Sequence, residues 1–314
     1  MTEQSNLLWD NPEETVLTET PVIGILTVPD EFDNYNTFVA GAYVRYVEQA
    51  GAKVVPIHHS SSDEEISSLL DKINGLILQG GDAQVLNEKG ELTYFTKRVQ
   101  FVVEKAKEIN SRGIHFPIWA IWLGFQAFAI AEAPYKDTVA INVFDARDWW
   151  DKVNFVLEPS ISRIYRNIPE GLLLAMQNEE ITYNNHHDGV FPSTFEKYPE
   201  LRDNYRILAT TTDRQGLEYV ATFEHKVYPF YALQYHPEKV QFIFQEDLHI
   251  PRSKPAVDLA KYYAEFFVKE CKLNWNRFEN AEEEARHLIY TAPLIQTNTE
   301  LWDVYVFIEP LPTV

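Results

Sequence analysis

Residues 116–131, FPIWAIWLGFQAFAIA, decide the architecture. The first seven, 116–122, form an apolar run of strand length, and Leu123-Gly124 leads straight into an apolar helical segment through Ala131. A strand and helix without a polar face belong in a parallel sheet buried on both sides. The same kind of run recurs upstream at residues 21–28 (PVIGILTV), 52–58 (AKVVPIH) and 75–79 (GLILQ). Helical segments separate these runs. Residues 37–50 (TFVAGAYVRYVEQA) have helical periodicity and stop at Gly51, and residues 63–73 are opened by Ser62 with Glu65 as its capping-box partner. Residues 93–110 form a long amphipathic helix. Alternation of this kind predicts an α/β fold with a central, mostly parallel sheet flanked by helices, as in three-layer flavodoxin-like folds. Ligand sites in such sheets lie at the carboxyl ends of the strands, which places Gly80-Gly81 and Trp122 at one rim.

The second half adds strand-like segments at 139–143, 217–223 and 227–235, and a clear helix at 255–269. An acidic stretch (279–284) and apolar stretches (288–293, 302–308) follow Cys271. No linker divides the chain. The reading is an acidic N-terminal extension at 1–20, expected to be flexible or held by a partner, and one domain at 21–310.

The chain has 314 residues, 45% hydrophobic and 24% charged, which suits a folded globular protein and excludes disorder or coiled coil as the main architecture. Its 27 Lys+Arg against 47 Asp+Glu give a net charge of −20. So acidic a chain repels phosphate backbones, and nucleic-acid binding is not expected. No apolar run reaches the length of a membrane span, so membrane insertion is not expected either. Cys271 is the single cysteine, which excludes an intrachain disulfide and a multi-thiolate metal site. No metal and no cofactor is expected. The N-terminus lacks a basic or apolar signal region, and no N-x-Ser/Thr sequon occurs. The expected location is a reducing, intracellular compartment.

Three motifs in order, INGLILQGGD, PIWAIWLGFQ and FYALQYHPEK, resemble the class I glutamine-amidotransferase fold, and within it the γ-glutamyl hydrolases. AYVRYVEQAGAKVVPI, NHHDG and DLAKYYAEFFVKE fit the same family, so the resemblance covers roughly residues 20–310. It implies a cysteine peptidase site that trims poly-γ-glutamate from folates. Such a site needs a thiol raised on a strand-to-helix elbow, a histidine base, a carboxylate to orient it, and two backbone N–H groups for the oxyanion. By resemblance the base is His236 and its orienter Glu238, the oxyanion donors are the amides of Gly81 and Leu123, and His186 is a substrate-side histidine.

The nucleophile is absent. Where the family reads roughly G-x-C-L-G-F, this chain reads Ala120-Ile121-Trp122-Leu123-Gly124-Phe125. Trp122 holds the cysteine position, and no Ser, Thr or Cys lies between Pro117 and Ala131. Indole nitrogen is a donor only, so no acyl-enzyme can form on it. A bulky residue at the elbow is expected to relax the strained positive-φ turn and to fill the substrate pocket with its ring. Gln126 stands where the hydrolases carry Glu. The expected function is therefore that of an inactive γ-glutamyl hydrolase-like pseudoenzyme, a structural or interaction subunit with protein partners in a larger assembly. The alternatives are a weak, non-cleaving binder of γ-glutamyl or folate ligands, and a residual γ-glutamyl peptidase.

Overall fold

A computed structural model of the chain describes residues 15–30, 36–297, 299, 301 and 303–308. Its centre is an eight-stranded sheet. In chain order the strands are β1 (Val22–Leu26), β2 (Lys53–Ile57), β3 (Gly75–Leu78), β4 (Ile118–Ile121), β5 (Asn154–Phe155), β6 (Tyr205–Thr212), β7 (Glu218–His225) and β8 (Phe230–Leu233). Across the sheet they run β2-β1-β3-β4-β8-β7-β6-β5. The pairs from β2 to β8 are parallel, and those from β8 to β5 are antiparallel. Every residue of β1, β3, β4 and β8 is buried, the pattern of strands covered on both faces. Helices Gly41–Glu48, Lys239–Phe242, Glu170–Asn178 and Lys254–Cys271 pack together in one layer. Asp63–Leu70, Tyr94–Ser111, Leu123–Glu132 and Pro199–Asn204 pack in the other. The expected mostly parallel α/β architecture is present.

Local sequence explains the start of the helix Asp63–Leu70. Ser62 accepts from the Glu65 N–H and the Glu65 carboxylate accepts from the Ser62 N–H, completing the capping box read from the sequence. Two segments depart from expectation. Residues 37–40 are not helical: Asn36–Ala40 is a strand, and the helix begins at Gly41. This strand pairs with Asp303–Ile308 in a separate four-stranded sheet, a partner far along the chain that overrides local periodicity. Arg45 fixes that pairing with two hydrogen bonds to Asp303, at 2.7 and 2.8 Å. Residues 139–143 are not a strand either. They form a turn with a single bridge, Ala140 to Gly189, and Asn142 sits at φ 56°. Sequence reading also passed over Ala146–Asp151, which pairs with Thr182–His186, and over β6.

Of the N-terminal extension, residues 1–14 lie outside the described part. Residues 15–20 include Leu17 and Thr18, whose N–H groups both donate to the Lys272 carbonyl, while Thr18 Oγ1 donates to the Asn274 carbonyl. This end of the extension is thus tied to the close of the last long helix. No helix among the described residues is long and apolar enough to cross a membrane.

The helix Leu123–Glu132 approaches β3 closely. A Cβ added at Gly124 would lie 1.9 Å from the Leu78 carbonyl oxygen, so the two backbones touch and neither can yield cheaply. Gly124→Ala is expected to destabilise the protein by about 2 kcal/mol or more, as over-packing of a rigid contact does. Urea denaturation measures this, and a loss below about 0.5 kcal/mol would mean that the helix can shift away freely.

Candidate functional site

β1, β3 and β4 end at one rim of the sheet, and the residues that follow them build the site. Trp122 follows β4 directly. Its N–H donates to the Leu233 carbonyl at 3.0 Å, and its carbonyl accepts the Gln126 N–H at 3.1 Å, starting the helix. Between these anchors its backbone stands at φ 54°, ψ −111°. The elbow has therefore not relaxed around the bulky side chain, contrary to expectation. The contact of Gly124 with β3 leaves the chain no softer route from strand to helix, so the turn keeps a conformation that costs on the order of 1–3 kcal/mol.

The indole is 5% exposed. It packs against Gly80, where an added Cβ would come within 2.2 Å of the ring. Its centroid is 4.7 Å from the imidazole of His236, and Lys239 Nζ stands 5.1 Å from it on a ring face. Tyr43 completes the floor, its hydroxyl accepting the Gly80 N–H at 2.9 Å. Neither Lys239 nor Tyr43 was singled out in the sequence. Both carry side chains that are usually placed at the surface or in the core, and nothing local marks them as neighbours of the rim.

His236 and Glu238 are fully buried, with Nδ1 of the histidine 2.7 Å from Oε1 of the carboxylate. The His236 backbone N–H donates to the Tyr183 carbonyl at 2.8 Å, which ties this stretch of chain to the wall strand Thr182–His186. The pair thus has the geometry of a base and its orienter. Its imidazole packs against the indole. A cleft of about 170 Å³ opens at the rim, lined by Gly81, Trp122, Leu123, Gln126 and His186 among others, but not by His236 or Glu238.

His186 is buried at the inner wall, edge-on to Tyr219 at 4.9 Å. Its Nε2 has only a long contact, 3.4 Å, to Asn184 Oδ1. Burial, and then the neighbouring His236, push its pKa down to about 3, so it is neutral throughout the physiological range. Gln126 donates from Nε2 to the Asp188 carbonyl at 2.9 Å and acts here as a brace of the cleft wall. The expected site residues Gly81, Trp122, Leu123 and His186 therefore share one cleft, while His236 and Glu238 are adjacent but screened from it.

Three non-glycine residues among those described have positive φ: Trp122, Asn142 and Asp148. Two of them line this cleft, and the third is hydrogen-bonded to a residue that does. Asn142 lines it, and its N–H is held by the Asp188 carboxylate at 2.6 Å. The Asp148 N–H donates to Oδ1 of Asn185, another cleft residue. Strain of this kind persists only where surrounding contacts impose it.

Cys271 offers no substitute thiol. It is buried and packs on Gly75, the first residue of β3, where an added Cβ would meet its Sγ at 2.5 Å. That is the opposite end of the strand from the rim, and burial pushes the thiol pKa up, away from the reactive thiolate. No group of three or more His, Cys, Asp or Glu able to hold a metal occurs among the described residues.

Two outcomes follow from this geometry. Trp122→Ala is expected to destabilise the protein by about 3–5 kcal/mol, the usual cost of emptying a buried indole site, as measured by chemical denaturation. A loss under about 1 kcal/mol would show that the ring is not part of the packed core. In a proton NMR titration, the His186 resonances are expected to stay unshifted from pH 5 to 8 (about two units or more above its midpoint), whereas movement near pH 6.5 would mean that the ring is solvated.

Residues 21–238 match the Peptidase C26 family model. γ-Glutamyl hydrolase B of Dictyostelium discoideum is 33% identical over 93% of this chain and 84% of its own length. The γ-glutamyl hydrolase of Mus musculus is 33% identical over 87% of this chain and 84% of its own, and that of Homo sapiens 29% over 91% and 89%. A solved GMP synthase component from Thermoplasma acidophilum aligns over 81% of this chain and 94% of its own at 19% identity, with a TM-score of 0.48. With its core matched by the family model and its length shared with these relatives, the chain belongs to the Peptidase C26 family, that of the γ-glutamyl hydrolases.

Proposed function

We propose that this protein is a catalytically inactive member of its family, kept as a structural or interaction subunit. One observation carries the reading: a buried tryptophan occupies the strained elbow between β4 and its helix, at the position where the family motif places its thiol. Covalent γ-glutamyl transfer needs a nucleophile whose proton His236 can take. The atom nearest that role is a carbon of the indole, which has no proton to give and no lone pair to attack with. His236 is fully buried against the indole and does not line the cleft, so a water in the cleft has no direct contact with it. The His236–Glu238 pair then serves packing and hydrogen bonding.

A second reading draws on the relatives, which are named γ-glutamyl hydrolases, and on the intact His236–Glu238 geometry. It is slow hydrolysis without an acyl-enzyme. It would lack the covalent step that divides the barrier, and the remnant cleft would bind γ-glutamyl ligands more than it turns them over.

The purified protein is expected to release no glutamate from a poly-γ-glutamate peptide above the background of a His236→Ala variant. Release that depends on His236 would favour the second reading. The triple variant Trp122→Cys, Ile121→Thr, Ala120→Gly is expected to gain measurable turnover, because the base, its orienter and the elbow are all in place. A folded but inert triple variant would mean that the rest of the cleft has also diverged. Size-exclusion of a gentle native lysate tests the structural role: elution in a large, defined particle supports it, and elution as a free monomer contradicts it.

A further inference from the structure

A groove of about 910 Å³ lies beside β2, the edge strand of the eight-stranded sheet. It shares no lining residue with the rim cleft, which holds about 170 Å³. Its apolar lining comes from three elements: Ile57 at the end of β2, Ile66 and Leu69 of the helix Asp63–Leu70, and Phe307 and Ile308 of the strand Asp303–Ile308. Ile57 and Ile66 are buried, whereas Ile308 is 85% exposed, apolar surface that the described residues leave uncovered. His58, just after β2, packs edge-on against Phe307 at 4.9 Å and joins two of these elements.

The charges around the groove narrow what it can hold. Lys72 and Arg286, both on its lining, are each met by a carboxylate, Glu283 at 2.5 Å and Glu282 at 3.0 Å. Glu64 and Glu65, from the first turn of the helix Asp63–Leu70, also line the groove and leave its rim acidic. A second copy of this chain would bring a net charge of −20 against that rim, so the charges oppose self-association here. An added strand does not suit the open edge either. The Lys53 N–H and the Ile57 carbonyl both bond inward, to the Pro21 carbonyl and the Thr27 N–H. Pro56, at the alternate position, therefore faces outward and has no N–H to offer.

We propose that this groove docks an amphipathic helix of a partner protein, with apolar side chains entering between the helix Asp63–Leu70 and Phe307 and with basic side chains meeting Glu64 and Glu65. Apolar grooves take helices through anchors at i, i+3, i+4 and i+7, and opposite charge along the rim sets orientation and partner choice.

Fluorescence anisotropy of the full chain with two labelled 18-residue probe helices tests this at physiological ionic strength. One probe is built of Leu and Lys at that spacing, and the other has Glu in place of every Lys. The Leu/Lys probe is expected to bind saturably and the Leu/Glu probe about tenfold more weakly or worse. Ser68 is exposed and lines the groove, so Ser68→Trp is expected to fill it and weaken the Leu/Lys probe by about tenfold or more. Val156→Trp, at an exposed position following the opposite edge strand β5, is expected to leave binding unchanged. Should Ser68→Trp fail to fold, Ile308→Lys replaces it, with the same loss expected. No saturable binding, equal binding of the two probes, or binding that survives the groove substitution overturns the proposal. Self-association in sedimentation equilibrium that Ser68→Trp abolishes would give the groove to a second copy and overturn it too. Glutamate release plays no part in this readout, so its outcome is separate from that of the rim cleft.

Discussion

Contact between two backbones governs this structure. The helix after β4 starts so close to β3 that only glycine fits at position 124. Beside that contact, the residue joining strand to helix turns sharply and takes a positive φ even though its side chain is an indole. In an enzyme such a turn lifts a nucleophile above the sheet edge. Here the same turn lifts an indole, and the surroundings are arranged for it. Gly80 leaves room beneath the ring, Lys239 stands over one face, and His236 packs beside it. Packing sets the elbow, and chemistry depends on which side chain the elbow carries.

That separation explains how the His236–Glu238 pair can persist whatever side chain the elbow carries. A buried imidazole joined to a buried carboxylate is costly to break, because either group left alone would be an unpaired polar atom in the core. His236 and Glu238 hold each other at 2.7 Å, and the histidine backbone also closes the wall strand through Tyr183. Their retention therefore needs no catalysis. The same holds for the strain at Asn142 and Asp148, which neighbouring carboxylate and amide groups impose.

Much of this was legible in the sequence. Apolar runs of strand length marked β1 to β4, because a strand buried on both faces has no polar alternation to confuse the reading. The motif around Trp122 marked the strand-to-helix elbow, and Gln234-Tyr235-His236-Pro237-Glu238 marked two side chains that meet in the core. Long-range pairing was not legible. Residues 37–40 looked helical because their strand partner lies at 303–308. The expected relaxation of the elbow failed for a similar reason: the close approach that Gly124 permits is to Leu78, on a different strand. Lys239 was hidden because burial of a lysine depends on an aromatic face supplied from elsewhere in the chain.

The proposal's central claim is that the elbow residue, Trp122, forms no covalent bond to a γ-glutamyl group. Its most direct test is intact-mass spectrometry of the purified protein after incubation with a γ-glutamyl electrophile, followed by peptide mapping of any adduct. The account predicts an unmodified mass at the rim, with Cys271 also unlabelled in the folded protein because it is buried. A stoichiometric adduct on any residue lining the cleft would contradict it.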